Sequence, residues 1–173
     1  RVMPVTSRRL SERKEIGMQH LRLYLRLARL FCVLLTGILL CALVSLLELL
    51  PRLKLLGVRQ RLSCWFMARL SQALPLQVRI IGRPPQQPML WVSNHVSWLD
   101  IPLLGMLAPL SFLSKAEVRH WPLLGWLACK AGTLFIRRGG NESAKVNQQL
   151  SAHLQQDLHL LLFPEGSTTD GSY

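Results

Sequence analysis

Residues 158–163 read Leu-His-Leu-Leu-Leu-Phe, an almost unbroken apolar run that ends before Pro164. A run of this length and composition is typical of a strand that is buried on both faces, as the inner strands of a parallel sheet are. We therefore predict that this strand lies at the centre of a parallel sheet and that the chain before it supplies the neighbouring elements.

Shorter apolar runs precede this strand, and helix-length segments separate most of them. The predicted strands are residues 78–82, 89–93, 111–114 and 133–136, and the predicted helices are residues 98–107, 123–130 and 142–156. Strands that alternate with helices indicate an α/β fold, with a mainly parallel sheet and flanking helices.

Charge divides the chain into two halves of different character. The net charge is +12, and residues 1–83 hold 15 Lys and Arg against 3 acids, whereas residues 84–173 hold 6 of each. Residues 30–47 carry no charge and, at about 1.5 Å per residue, are just long enough to cross a bilayer core of roughly 30 Å. Basic residues beside an apolar run suit anionic lipid headgroups, so we predict membrane lipids as partners. Nucleic acid would explain the arginines but not the apolar run, so we predict no nucleic-acid partner.

These patterns define a basic N-terminal segment (1–29), membrane-associated helices (30–76) and an α/β domain (77–173). Basic residues lie on both sides of the apolar run in similar number, so the positive-inside rule sets no orientation. A single span and a dip of residues 30–47 and 62–74 into one leaflet both stay open. The four cysteines lie far apart without a Cys-x-x-Cys pair, which predicts free thiols in a reducing compartment and no metal site.

Each of the last four predicted strands is followed by polar or ionisable side chains. In chain order these are Asn94 and His95 with Asp100, then Lys115, then Arg137 and Arg138, and finally Glu165, Gly166, Ser167 and Thr168. Ligands of open α/β sheets bind beyond the carboxyl ends of the strands. The sequence therefore predicts one active site at this edge.

A His with an Asp five residues later can form a general base and the carboxylate that orients it. The spacing alone leaves open a His at a helix start and an Asp on a solvent face. Arg137 and Arg138 before two glycines could bind phosphate or form a solvated turn, and Glu165 could orient a donor or cap a helix. The sequence has no Gly-x-Ser-x-Gly motif, so we expect the nucleophile to be a substrate hydroxyl rather than a serine of the protein.

The residues from Asn94 to Asp100, Asn-His-Val-Ser-Trp-Leu-Asp, resemble the NHxSxxD block of the glycerolipid acyltransferases, the 1-acyl-glycerol-3-phosphate acyltransferase family. Residues 115–126, 132–138 and 163–166 resemble the blocks that follow it, in the same order. The resemblance covers about residues 89–171, which is nearly the whole second half of the chain.

The resemblance implies transfer of a fatty acyl group from acyl-CoA or acyl carrier protein to the free hydroxyl of a lysolipid. His95 would be the general base and Asp100 its orienting carboxylate, with no covalent acyl-enzyme and no cofactor beyond the acyl donor. The implied substrate-binding residues are Asn94, Lys115, Arg137, Arg138, Glu165, Gly166, Ser167 and Thr168. The implied location is the cell inner membrane, with the catalytic domain on the cytoplasmic side. The alternative is a catalytically dead, membrane-anchored lipid-binding remnant.

Two departures from the family pattern concern the acceptor. Ser167 and Thr168 follow Gly166 where the family has Thr-Arg, and Arg137 stands where a small acidic or polar residue is usual. This form resembles the branch that acylates lyso-ornithine lipids, so phosphate and ornithine acceptors both stay open. The family's fourth block would lie beyond Tyr173, so we expect the C-terminal part of the fold to be missing from this chain.

Overall fold

The computed structural model describes residues 5–50, 55–136, 143–156 and 158–164. Two long helices come first, α1 (Val5–Leu47) and α2 (Leu56–Ala73). The section Gly17–Leu47 of α1 is long and apolar enough to cross a membrane, and only 11% of its most apolar 18 residues are buried. The hydroxyls of Thr36 and Ser45 each donate to the carbonyl one turn earlier at 2.8 Å, so the helix itself supplies a partner for these polar groups.

Helices α1 and α2 pack against each other at a glycine. A Cβ atom on Gly37 would lie 2.4 Å from Cε2 of Phe66, so a larger residue would push the helices apart. Helix α2 also contacts the sheet through a buried polar pair, because Gln60 donates to the hydroxyl of Ser111 at 2.8 Å. Both side chains are almost fully buried, which makes this hydrogen bond necessary for close packing there.

The sheet follows, with helices between its strands. Its strands are β1 (Leu90–Val92), β2 (Leu110–Lys115), β3 (Leu134–Ile136) and β4 (His159–Leu162). The helices that follow α2 are α3 (Asp100–Gly105), a 3₁₀ helix (Ala116–His120), α4 (Leu124–Lys130) and α5 (Ser143–Leu154).

All four strands are parallel, in the order β1-β4-β2-β3. Strand β4 lies between β1 and β2, and its Leu160 and Leu161 have no exposed surface. Leu110 and Phe112 of β2 complete the buried core beside them. The predicted α/β fold with a mainly parallel sheet is confirmed, and so is the inner position of the strand at 158–163.

The predicted strand at 78–82 is wrong. This segment has no regular secondary structure, and Val78, Ile80 and Ile81 are exposed, the last by 84%. An isolated apolar run can satisfy its backbone groups as a strand only beside another strand, and within the described residues none lies beside it. Gly82, with φ +99°, then turns the chain toward β1.

A cluster of charges joins α1, α2 and α4. Glu48 accepts from Arg59 at 3.1 Å and also pairs with Lys130. The hydrogen bond from Lys130, with a smaller contribution from the charge of Arg59, lowers the pKa of Glu48. Arg59 further donates to the carbonyls of Lys130, at 2.8 Å, and Cys129. Carbonyls at the end of a helix lack partners within it, and that of Cys129 also accepts from the N–H of Gly132 at 3.2 Å.

Candidate active site

The loop after β1 is organised around one carboxylate oxygen. Oδ2 of Asp100, the first residue of α3, accepts from the backbone N–H groups of Val96 and Ser97 at 2.8 Å each. It also accepts from Nδ1 of His95 at 3.2 Å. Three donors converge on this oxygen, so the carboxylate folds the loop and fixes the imidazole with the same atom.

This contact determines which nitrogen of His95 can act as a base. A carboxylate can only accept, so Nδ1 carries the hydrogen in the hydrogen bond to Asp100. The neutral ring then leaves Nε2 unprotonated and able to take a proton from a substrate. The sequence left open whether this His and Asp meet at all, and the structure brings them together.

An aromatic ring stacked on the face of the imidazole restricts its orientation further. Phe163, directly after β4, stacks on His95 with ring centroids 4.2 Å apart and planes 21° apart. The His95 side chain is 13% exposed, which leaves a limited part of the ring accessible. The hydrogen bond and the stacking together hold the ring in one orientation.

His95 faces an apolar cavity of about 900 Å³. Its walls include Leu34 and Val44 of α1 and Phe66 and Met67 of α2, in addition to side chains of the sheet and of α4. The volume falls within the range typical of ligand sites, which are largely apolar with a few polar groups that orient the ligand. The cavity can therefore hold a lipid chain with one end beside the imidazole.

The structure describes only some of the other predicted site residues. Lys115, the last residue of β2, is half-buried and lines the same cavity as His95, whereas Asn94 is exposed beside His95. Ile136 and Pro164, which directly precede two further groups of predicted residues, also line the cavity. Those two groups lie outside the described residues: Arg137, Arg138, Glu165, Gly166, Ser167 and Thr168.

Sequence reasoning did not assign a role to Phe163. Its contact with His95 depends on β4 lying next to β1, although 66 residues (93–158) lie between the end of β1 at Val92 and the start of β4 at His159. Strand order is not readable from an apolar pattern. The signal that was available is the aromatic residue at the end of the most apolar strand.

Comparison with known proteins identifies the family of the chain. Residues 75–173 match the family model described as Acyltransferase. The chain is 60% identical over 154 residues to the lyso-ornithine lipid O-acyltransferase of Pseudomonas aeruginosa, covering 89% of this chain and 60% of that protein. It is 39% identical over 95 residues to the 1-acyl-sn-glycerol-3-phosphate acyltransferase of Neisseria gonorrhoeae, covering 53% of this chain and 37% of that protein.

A solved structure shares the fold. The crystal structure of the 1-acyl-sn-glycerophosphate (LPA) acyltransferase, PlsC, from Thermotoga maritima superimposes with a TM-score of 0.60 at 22% identity. The superposition covers 87% of this chain and 63% of that one. The chain thus spans less than two thirds of the length of these relatives. Since the family model matches more than half of the chain, and the sequence blocks had predicted the same family, the chain belongs to the acyltransferase family.

Proposed function

We propose that the protein transfers a fatty acyl group from a thioester donor, acyl-CoA or acyl carrier protein, to the free hydroxyl of a lysolipid. The observation that carries the proposal is the His95–Asp100 pair, joined at 3.2 Å on the wall of an apolar cavity. A base beside an apolar cavity suits an acceptor that has a hydroxyl and a fatty chain.

The reaction needs no nucleophile from the protein. Nε2 of His95 takes the proton of the lysolipid hydroxyl while the hydroxyl oxygen attacks the thioester carbonyl carbon. The C–S bond then breaks, and the thiolate that leaves takes the proton from the imidazolium. Asp100 keeps Nδ1 protonated and stabilises the positive charge of the ring during this exchange.

The substrate-binding roles stay part of the proposal. Lys115 supplies a positive charge to the cavity wall that holds His95, which suits an anionic part of a substrate. We expect Arg137 and Arg138 to bind the headgroup or the donor, with Asn94 nearby. We expect Glu165, Gly166, Ser167 and Thr168 to shape the acceptor site.

A lyso-ornithine lipid is the acceptor that we favour. The Pseudomonas relative that carries this name is 60% identical to the chain, and Ser167 and Thr168 stand where the phosphate-specific pattern has an arginine. A headgroup without phosphate needs one cation fewer. Lysophosphatidic acid is the second candidate, because the Neisseria relative is named for it and Lys115 can pair with a phosphate.

The surface of a membrane is the natural location for such a reaction. Helix α1 exposes large apolar side chains along its length, among them Leu35, Leu39 and Leu43. We propose that α1 and α2 hold the protein at the cell inner membrane with the sheet on the cytoplasmic side. There the soluble donor meets an acceptor that lies in the bilayer.

An acyl-transfer assay of the full-length protein tests the proposal. The assay combines lyso-ornithine lipid, lysophosphatidic acid and lysophosphatidylcholine with each donor, acyl-CoA and acyl carrier protein. We expect the highest kcat/KM with lyso-ornithine lipid. A preference for lysophosphatidic acid would reverse the choice of acceptor. Retained lipid binding without transfer to any acceptor would instead support a catalytically dead lipid-binding protein.

A further inference from the structure

An exposed apolar surface adjoins the His95 loop. It is formed by Trp98, Leu99, Trp121, Leu123 and Leu124, here called the entrance patch, whose side chains are 36–58% exposed. The two tryptophan rings lie 5.7 Å apart, centroid to centroid, and thereby link the His95 loop to the segment before α4. Contiguous apolar surface of this kind marks an interaction site more often than a chance arrangement.

The backbone of the patch is strained at an exposed residue. Leu123 has φ +58° and ψ −55°, and the N–H of Leu124 donates to the carbonyl of Pro122 at 2.6 Å. These values describe the rare, strained form of the γ-turn. A leucine at positive φ costs roughly 1–2 kcal/mol, and the Leu123 side chain, 52% exposed, recovers little of this by burial. Such strain is typical of segments that serve a function.

The patch borders the same cavity as α1. Trp98, Leu99, Trp121 and Leu124 all line the cavity that Leu34 and other α1 residues line. The entrance patch therefore borders the same cavity as Leu34, an exposed residue of the helix that we propose to contact the membrane.

The charged groups beside the patch favour contact of the patch with an anionic surface. The 3₁₀ helix that ends just before Trp121 exposes Arg119 and His120 as well as Glu117. Lys115 precedes this helix, so the segment carries a net positive charge. Tryptophan with neighbouring cations is typical of protein surfaces that lie at the headgroup level of an anionic bilayer.

We propose that the entrance patch inserts into the headgroup region of the anionic leaflet on which α1 rests, so that the lysolipid enters the cavity directly from the bilayer. The inference rests on the proposed function for the identity of the entering lipid. The contact between patch and bilayer is a physical property that can be measured without any turnover.

Fluorescence quenching tests the contact. The full-length protein is mixed with phosphatidylcholine–phosphatidylglycerol vesicles that carry brominated acyl chains, and the quenched fraction of tryptophan emission is measured. We expect Trp121→Phe to lower this fraction. The matched control, Trp91→Phe, removes a half-buried indole that is bonded to His159 at 3.3 Å and should not lower it.

Three results of this experiment would overturn the proposal. In the first, vesicles bind but Trp121→Phe leaves the quenched fraction unchanged. In the second, Trp121 is shielded from both the brominated chains and aqueous acrylamide, which would mean that another part of the polypeptide covers the patch. Failure to bind vesicles would overturn it as well.

A kinetic experiment separates this inference from the proposed function. We expect Leu123→Glu to lower kcat/KM about tenfold for a lysolipid embedded in vesicles, since a charge replaces apolar surface that the bilayer would cover. The rate with a short-chain lysolipid in free solution should change little. Ile81→Glu, at an 84% exposed apolar side chain outside the patch, is the control. Equal loss on both acceptors would contradict the inference and leave the transfer reaction intact, whereas no transfer by the unchanged protein would contradict the proposed function alone.

Discussion

At the scale of single residues, Asp100 has two roles that the same oxygen performs. It accepts from two backbone N–H groups, which shapes the loop, and from Nδ1 of His95, which orients the base. A substitution at this position therefore changes both geometry and charge. The two effects can be separated because a neutral isostere keeps an oxygen for the N–H donors.

We expect Asp100→Asn to lower kcat about 100-fold or more, because the imidazolium that forms in the transition state loses its negative partner. The control is Ser97→Ala. It keeps the backbone N–H that binds Asp100 and loses only the hydroxyl that accepts from Leu99 N at 3.2 Å. Steady-state kinetics on both variants would measure the difference, and equal rates for the two would contradict the role of Asp100.

A second residue-scale prediction concerns His153, buried at the end of α5. Its Nε2 has no hydrogen-bond partner within the described part of the chain, and burial lowers its pKa. The unfolded chain then binds the proton more readily than the folded one, so stability falls as the pH drops below about 6.5.

We expect His153→Leu to raise the free energy of unfolding by about 1 kcal/mol near pH 7, with a gain that grows toward pH 5. Urea denaturation at several pH values measures both. His120→Leu, which removes an exposed histidine by the same substitution, is the matched control. A gain that does not depend on pH would show that His153 is not the titrating group.

At the scale of elements, Arg59 joins the two N-terminal helices to the sheet domain. It contacts Glu48 after α1 and two carbonyls at the end of α4, so its removal leaves three acceptors without this donor. We expect Arg59→Met to lower the free energy of unfolding by about 1–3 kcal/mol. Arg61→Met, at an exposed position on the same helix, is the matched control. A similar loss in both variants, measured by denaturation in detergent, would contradict the role of this junction.

The elements also show what a sequence can and cannot predict. The strand at 158–163 was predictable because a short, almost unbroken apolar run is typical of an inner parallel strand. The segment 78–82 is also rich in apolar residues but has no neighbouring strand in the part of the chain that the structure describes, and pairing is a property of the whole sheet. The predicted helix at 98–107 begins only at Asp100, because the carboxylate of this residue binds the two backbone N–H groups before it.

The candidate site, too, could be predicted from the sequence only in part. The spacing of His95 and Asp100 allowed a pair but left open whether the two side chains meet, and the structure joins them at 3.2 Å. The stacking of Phe163 on His95 was not predictable, because it depends on β4 pairing with β1. The cavity was not predictable either, since its walls come from α1, α2 and the sheet together.

At the scale of the whole molecule, the basic and apolar first half and the neutral second half meet at the cavity. Helix α1 supplies one wall and the sheet edge with His95 supplies another. Under the proposed function, a lipid acceptor would leave the bilayer along α1 and reach His95 through this cavity. This arrangement explains why one chain combines a long exposed apolar helix with a parallel sheet that has a buried core.

The most direct test is the acyl-transfer rate of His95→Ala, measured on vesicles that contain the preferred lysolipid, together with the fraction of protein that sediments with them. We expect transfer to fall by about 10²–10⁴-fold and sedimentation to stay unchanged, because His95 acts on the hydroxyl and not on the membrane. A variant that sediments normally and retains near-normal turnover would show that this imidazole is not the base.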